Sequence, residues 1–451
     1  MLAGALALFA FVRLAVLRWQ TFATNAFDLA FFDQIIFNTS RGRWFENSFV
    51  AYNFAGQHLE PILLAYVPAY WLGAGPLLLT TSQAVVAALA AFPLYFFARR
   101  LTGNPGIACA AVVAYLANPY LHRAVAFDFH PEVMVAFPVF TAMWAIATGR
   151  RRTAVAAGLA VLLFKEDAAF LALFLGGVMW AKGMRREGGF TASVAVAYAL
   201  LAVFVIMPLM RGGQESDLVE RYQYLLPGQN GDGFAVGALL MPIRAGEVLF
   251  AIDQLQTAGL FLATSAAAAA LRPAWLVWLA PALLLTLLSQ HPQQRALELH
   301  YAVGMVPIAT VLALLAIDAV RGRVLPQALG FALVAPPIVA MMFLNPLGAG
   351  LGEAPSTSHR SAVHAAIALV PADEDVSVSA QSGLLARLSQ RREAYEFPGH
   401  AEDADWVVVD RYGFRSSQSL AAGFDRRLEE LRQTAELVYS VDGVEVFRRM
   451  R

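Results

Sequence analysis

The sequence predicts an all-α polytopic membrane bundle of about eleven transmembrane helices, followed by a small α/β domain. Three observations predict it. The chain of 451 residues is 58% hydrophobic and only 15% charged, whereas a soluble globular chain carries about 25% charged residues. Long apolar runs separated by short polar breaks extend from Leu2 to Leu344, and most approach the ~20 residues a bilayer-crossing helix needs. After Leu344 the composition turns soluble. The runs are continuous rather than alternating, which argues against a β-barrel. The formal net charge is zero, so nothing points to nucleic acid. The one cysteine, Cys109, lies in an apolar run, so no intrachain disulfide forms and helix packing is its expected role.

The charges sort into two sets. Arg99-Arg100, Arg150 to Arg152, Lys182 to Arg186 and Arg321 to Arg323 fill alternate breaks. Basic loops stay in the cytoplasm. The breaks between them carry Asp28, His58, Glu60, Asp128, His130 and Glu132, then Glu166, Asp167, Glu298 and His300. The His- and carboxylate-rich side is therefore outside, and chemistry is expected there.

Length and charge side place the spans in order. Leu2–Arg18 is a retained helix running outward, without the small-residue cleavage site of a signal peptide. A first outer loop spans 19–75, with an interfacial helix at Leu59–Leu72, too short at about 14 residues to cross. Spans follow near Pro76–Ala98, Pro105–Leu121, Val133–Thr148, Thr153–Phe164, Ala168–Ala181 and Phe190–Met210. Arg211 to Gly233 is a polar outer loop, and the last spans are Leu255–Leu271, Pro273–Ser289, Tyr301–Ala319 and Val324–Leu344. Residues 1–344 thus form the membrane domain, 345–358 a Gly/Pro/Ser-rich linker, and 359–451 an extracytoplasmic α/β domain. In that domain Val376–Ala380 and Trp406–Asp410 read as strands, and Ser382–Ser389 and Leu420–Thr434 as helices. Leu437–Ser440 and Val444–Phe447 flank Asp442-Gly443, a hairpin signal.

Four groups of residues carry candidate chemistry. In Phe27-Asp28-Leu29-Ala30-Phe31-Phe32-Asp33, a helix sets Asp28 on one apolar face with Phe31, Phe32 and Ile35. Burial there raises a carboxyl towards general-base range, whereas Asp33 points about 140° away. The competing role for Asp28 is a helix cap or a headgroup contact. Next, His58 and Glu60 in the first outer loop, with Asp128, His130 and Glu132 between two spans, are candidate substrate ligands. Asp128, His130 and Glu132 are also candidates for a divalent cation, though they match no specific metal signature and equally suit helix capping before Pro131. Third, Lys165-Glu166-Asp167 interrupts an apolar run from Thr153 to Ala181. A mid-bilayer charge costs at least about 2.5–3.5 kcal/mol, so these three mark an outer turn. Lys165 there neutralises either a phosphate or its own neighbours Glu166 and Asp167. Last, Arg295, His300 and Tyr301 close another polar outer loop, where Arg and His suit phosphate oxygens and Tyr an interfacial belt. The chain has no P-loop, dinucleotide fingerprint, zinc cysteine cluster or serine nucleophile elbow.

FDLAFFDQ (27–34), GQHLEPILLAYVPAY (56–70), AFDFHPE (126–132), FKEDAA (164–169), HYAVGMVPI (300–308) and the tail through ADWVVVDRYG and DGVEVFRR resemble a bacterial family of predicted membrane proteins, a domain of unknown function. The layout also resembles the GT-C superfamily of membrane glycosyltransferases. That resemblance implies a sugar donor on a polyprenyl phosphate, inverting transfer, and an acidic residue soon after the first span, here Asp28. It further implies a basic residue near the donor phosphate, here Lys165, and a basic–Tyr pair before a late span, here His300-Tyr301. Leu29 departs from the second acidic residue of the mannosyltransferases. The expectation is a glycosyltransferase-like protein of the bacterial inner membrane acting on its outer face, with a membrane lipid and a polyprenyl-phosphate-linked sugar as partners. Its N-terminus is cytoplasmic. The rival classes are a transporter or lipid flippase, and a non-catalytic lipid-binding or assembly protein. A flippase would favour inverted repeats and midplane polar groups, which this chain lacks.

Overall fold

The computed structural model describes residues 2–225, 233–344, 355–413 and 423–450. Five helices among them are long and apolar enough to cross a bilayer: Leu2–Gln20, Pro76–Thr102, Arg185–Arg211, Val303–Val320 and Pro326–Leu344. A sixth span forms if Met241–Leu249 and Ile252–Ser265, bent by 66°, count as one. Pro61–Trp71, Pro105–Leu116, Pro131–Ala147 and Pro273–Leu287 are shorter apolar helices. The expected architecture of a helical membrane bundle is thus present, with at least five spans. Residues such as Phe204, Phe331 and Met342 turn outward, as lipid-facing positions do.

Local chemistry starts and stops these helices. Asn104 accepts hydrogen bonds from the amides of Gly106 and Ile107, and Pro105 takes the first helical position, where a missing N–H costs nothing. Asn118 and Pro119 repeat the device one turn of chain later. Between Thr153 and Ala181, where the charges predicted a break, Lys165 is extended at φ −170° and ψ 161°. A helix over Arg151–Ala160 precedes it and another over Ala169–Ala181 follows.

Several boundaries differ from expectation. The span expected at Phe190–Met210 begins at Arg185, so its first turn carries Arg185, Arg186 and Glu187. Leu255–Leu271 divides into an α-helix to Ser265 and a 3₁₀ stretch over Ala267–Leu271. A helix over Gly233–Leu249 occupies a stretch left without an element.

The C-terminal domain holds a five-stranded sheet of order β2-β1-β3-β5-β4, with β1 Val378–Ala380, β2 Ala394–Glu396, β3 Trp406–Asp410, β4 Glu436–Val441 and β5 Val444–Arg448. β1, β2 and β3 run parallel, and the hairpin β4–β5 joins β3 antiparallel. β2 and the helix Thr357–Leu369 were not expected from sequence, and that helix begins inside the expected linker, whose residues 345–354 lie outside the described ones. The helix expected at Leu420–Thr434 is described from Phe424.

This domain seats on the first outer loop. Ser382 Oγ accepts from the Ala26 amide at 2.9 Å, and Ser48 Oγ donates to the Ala394 carbonyl at 2.7 Å. The Arg387 guanidinium lies 3.9 Å from the Trp19 ring centroid. Gly383 faces the Phe22 carbonyl so closely that any side chain would collide with it. One apolar core consequently runs from the bundle into the sheet, through Phe22 and Ala26 to Leu384 and Ala394. Phe397, Phe424 and Phe447 centre a second, smaller core.

Candidate functional site

Asp28 lies on a π-helical turn, Ala26–Ala30, which runs on into the α-helix Phe31–Ser40. π-turns recur at functional sites, because the extra residue re-aims a side chain. The turn is anchored from below. The buried Asp128 accepts from the Asn25 amide at 2.6 Å and pairs with Arg18 at 3.3 Å. Gln83 clasps the same loop, donating to the Asp128 carbonyl and accepting from the His130 amide. The Asp128 carboxylate is thus taken up by Arg18 and the Asn25 amide.

Asp28 was expected to be the buried carboxylate of this segment, on the face of Phe31, Phe32 and Ile35. Those three are buried, but the Asp28 side chain keeps 21% of its surface accessible. The extra residue of the π-turn shifts it off that face. Its carboxylate meets His130 Nε2 at 3.1 Å. His130 stacks on His300 with ring centroids 3.5 Å apart, and the Phe127 ring lies nearly parallel beside both, 5.5 Å from His130 and 6.3 Å from His300. Burial and the neighbouring His130 hold the His300 imidazole well below its usual range, hence neutral. The fully buried carboxylate is Asp33, which accepts from Tyr70, Ser389 and Gln390. Burial pushes it up to about 6 against those hydrogen bonds.

A second cluster surrounds Lys165. Its ammonium reaches Glu132 at 2.7 Å, so the partner is distant in sequence rather than the adjacent Glu166 or Asp167. Glu166 instead meets His58 Nδ1 at 2.9 Å and accepts from the Leu59 amide at 3.0 Å. Burial works against the charge on Lys165, and the carboxylates of Glu132, Asp167, Glu60 and Glu166 outweigh it, so its pKa rises. Glu132 is the counterpart: burial opposes its charge, and the Lys165 ammonium holds it far below the usual carboxylate range. Glu60 is 2% exposed, and its Oε2 has no partner among the described residues. Burial and the neighbouring Glu132 push it well up, so it stays protonated.

Beside this cluster opens a cavity of about 670 Å³. Its polar end is built by Lys165, Asp167, Arg221, Tyr222, His300 and Tyr301. Its apolar wall comes from Leu171, Leu173, Val196, Leu200, Val203 and Trp278, on helices flanking the membrane-facing side. A π-helical turn over Ala202–Ile206 places Val203 in that wall.

Most residues expected at the site converge here. Lys165, His58, His300 and Tyr301 line the cavity, Glu60 packs behind Lys165, and His130 with Asp28 joins through the histidine stack. Arg295 does not: its Nε donates to the Ser289 carbonyl at 3.0 Å, and it lies outside the lining. Arg221 supplies the second cation instead, held by Gln294 at 2.8 Å and forming no ion pair among the described residues. It sits in the Arg211–Gly233 loop, where an arginine among polar residues carries no distinctive signal. Asp128, His130 and Glu132 do not form a metal set, because each faces a different partner: Arg18, Asp28 and Lys165. No three such donors converge anywhere among the described residues.

Residues 18–446 match the family model described as predicted membrane protein (DUF2079). The chain belongs to that family. Among curated proteins nothing matches it. Solved structures do: ArnT from Cupriavidus metallidurans bound to undecaprenyl phosphate is 13% identical, with a TM-score of 0.52 over 97% of each chain. The apo state of ArnT matches with the same score and identity, over 97% of this chain and 96% of that one. The likeness spans bundle and C-terminal domain together, and it establishes a shared fold, in line with the GT-C-like layout expected from sequence.

Proposed function

We propose that this protein is a membrane glycosyltransferase that moves a sugar from a polyprenyl-phosphate donor to a hydroxyl acceptor on the outer face of the bacterial inner membrane. The observation that carries the reading is the amphipathic cavity. It sets an apolar wall against Lys165 and Arg221, the division that a lipid phosphate needs. The neighbour of known structure with the same fold holds such a lipid, undecaprenyl phosphate.

In the proposed step the acceptor oxygen bonds to the anomeric carbon from the face opposite the phosphate. The bond from that carbon to the phosphate oxygen breaks, and its electron pair stays on the phosphate. Asp28, steadied by His130, takes the acceptor proton. Lys165 and Arg221 stabilise the departing phosphate, and the neutral His300 and Tyr301 donate to the phosphate or to sugar hydroxyls. Inversion at the anomeric carbon follows from direct displacement. The acceptor would approach beside the first outer loop and the C-terminal domain, which share one side. The positive-inside pattern makes that side extracytoplasmic.

The test is binding of undecaprenyl phosphate to the purified full chain in lipid nanodiscs, followed by native mass spectrometry. Retention of one lipid phosphate, lost on Lys165→Met together with Arg221→Met, is expected. A wild type that retains none would overturn the reading.

A further inference from the structure

The polar end of the cavity is electrostatically uneven. Lys165 is matched by Glu132 at 2.7 Å, and Glu166 is satisfied by His58 and the Leu59 amide. Two ionisable lining groups remain without an ion-pair partner among the described residues, Arg221 and Asp167. Arg221 favours a phosphate. Asp167 is open to the cavity and lies next to Lys165, so it opposes one.

We propose that Asp167 sets the cavity's hold on a lipid phosphate by its own protonation: ionised it repels the phosphate and speeds release of the spent carrier, protonated it lets the lipid stay. The inference rests on reading the cavity as a lipid-phosphate site. Transfer itself supplies the reason for such a device. A sugar phosphodiester carries one negative charge, whereas the phosphomonoester left behind carries up to two above its second pKa of about 6. A carboxylate without a counter-ion therefore weighs more heavily against the product than against the donor.

The groups facing Asp167 allow this. Lys165 and Glu166 flank it on its own turn, and Glu132 faces it from the first turn of Pro131–Ala147. Glu60 comes from the first outer loop, and Tyr222 from the loop that also supplies Arg221. His300 and Tyr301 close the far wall. The Asp167 side chain stays accessible from the cavity; loss of water among its neighbours pushes the carboxyl up, Lys165 resists, and Glu166 and Glu132 push further, to about 7. The switch therefore falls where a cell surface works.

The experiment measures undecaprenyl phosphate affinity for the full chain in nanodiscs at about pH 5.5 and about pH 8, for wild type, Asp167→Asn and Asp167→Glu. One pH unit above a midpoint costs a factor of ten per proton taken up. Asp167→Asn is expected to bind about tenfold more tightly than wild type at pH 8 and equally at pH 5.5. Asp167→Glu should follow wild type. The lipid's own titration is common to all three proteins and cancels in the ratio. Equal affinities at both pH values, an equal gain at both, or weaker binding by the Asn variant would each overturn the role of Asp167. No binding by any of the three would instead overturn the lipid-phosphate reading itself.

Discussion

The Asp28 carboxylate and His130 Nε2 lie 3.1 Å apart, although 102 residues separate them, and His130 in turn stacks on His300 in the cavity wall. This contact links the first outer loop to the cavity. A base contributes about 10²–10⁴-fold in rate. Asp28→Asn keeps the shape of the side chain and its contact with His130 while removing the proton acceptor. Transfer from a polyprenyl-phosphate sugar is expected to fall by that factor, with the protein still inserted and monodisperse. His130→Ala should cost less, since it frees the carboxylate without deleting it. Undiminished transfer in Asp28→Asn would remove Asp28 from the mechanism.

Lys165 and Glu132 form a mostly buried pair, their side chains 14% and 15% accessible, in a cluster already crowded with carboxyls. Removing one partner of such a pair typically costs 3–5 kcal/mol, about what an uncompensated buried charge costs. Lys165→Met is therefore expected to lower the melting midpoint sharply. The double variant Lys165→Met, Glu132→Gln should recover much of that loss, because the Glu132 charge is no longer orphaned. Melting curves in detergent would separate the two. A double variant no more stable than the single one would show that Lys165 acts on stability through something other than Glu132.

What was legible in the sequence follows from locality. The Lys165 break was legible because three charges in an apolar run are prohibitive in lipid. The β4–β5 hairpin was legible because Asp442 and Gly443 take the positive φ values, 48° and 77°, that a tight hairpin turn demands. Most of the site residues followed from sharing one side of the membrane. Burial by distant contact was not legible. Asp33 is enclosed by Ser389 and Gln390, more than 350 residues away, so no local pattern could rank it above Asp28. Arg221 outdoes Arg295 for the same reason: which loop folds over the cavity is decided by packing. β2 is three residues long, too short for any periodicity.

Asp33 makes the seating of the C-terminal domain depend on pH. Its carboxyl rises from 3.8 to about 6 in the folded protein, burial outweighing the hydrogen bonds from Tyr70, Ser389 and Gln390. A raised folded pKa gives stability that is full below about pH 4 and is lost as pH climbs through about 6. The difference corresponds to about 3 kcal/mol. Wild type is thus expected to melt lower at pH 7 than at pH 4.5, and Asp33→Asn to flatten that change. Hydrogen exchange of the segment around Ser389 is the sharper probe. If Asp33→Asn leaves the pH profile of that segment unchanged, the junction does not titrate through Asp33.

His359 should impose a second, separate dependence. It sits in the first turn of the helix Thr357–Leu369, where chain from the bundle enters the C-terminal domain. Its Nε2 meets Asp410 at 2.9 Å and its Nδ1 meets Asp442 at 3.1 Å. A neutral imidazole has one N–H, so donating at both nitrogens requires the cation. Burial works against that charge, and the two carboxylates overcome it, raising the His359 pKa above 6.5. The resulting stability is present below about pH 6.5 and is lost as pH rises through the raised value. This window lies above the one set by Asp33, so the two are separable. His359→Gln retains a donor and an acceptor but cannot carry charge. It is expected to lower the stability of the sheet near pH 6, to matter little well above the raised His359 value, and to leave the Asp33 window untouched. Asp442→Asn should weaken the upper dependence less than Asp410→Asn, since Asp442 is the more exposed partner. Exchange rates at β3 and β5, read against pH for the three variants, decide it. An identical profile in wild type and His359→Gln would show that the clamp is not charged.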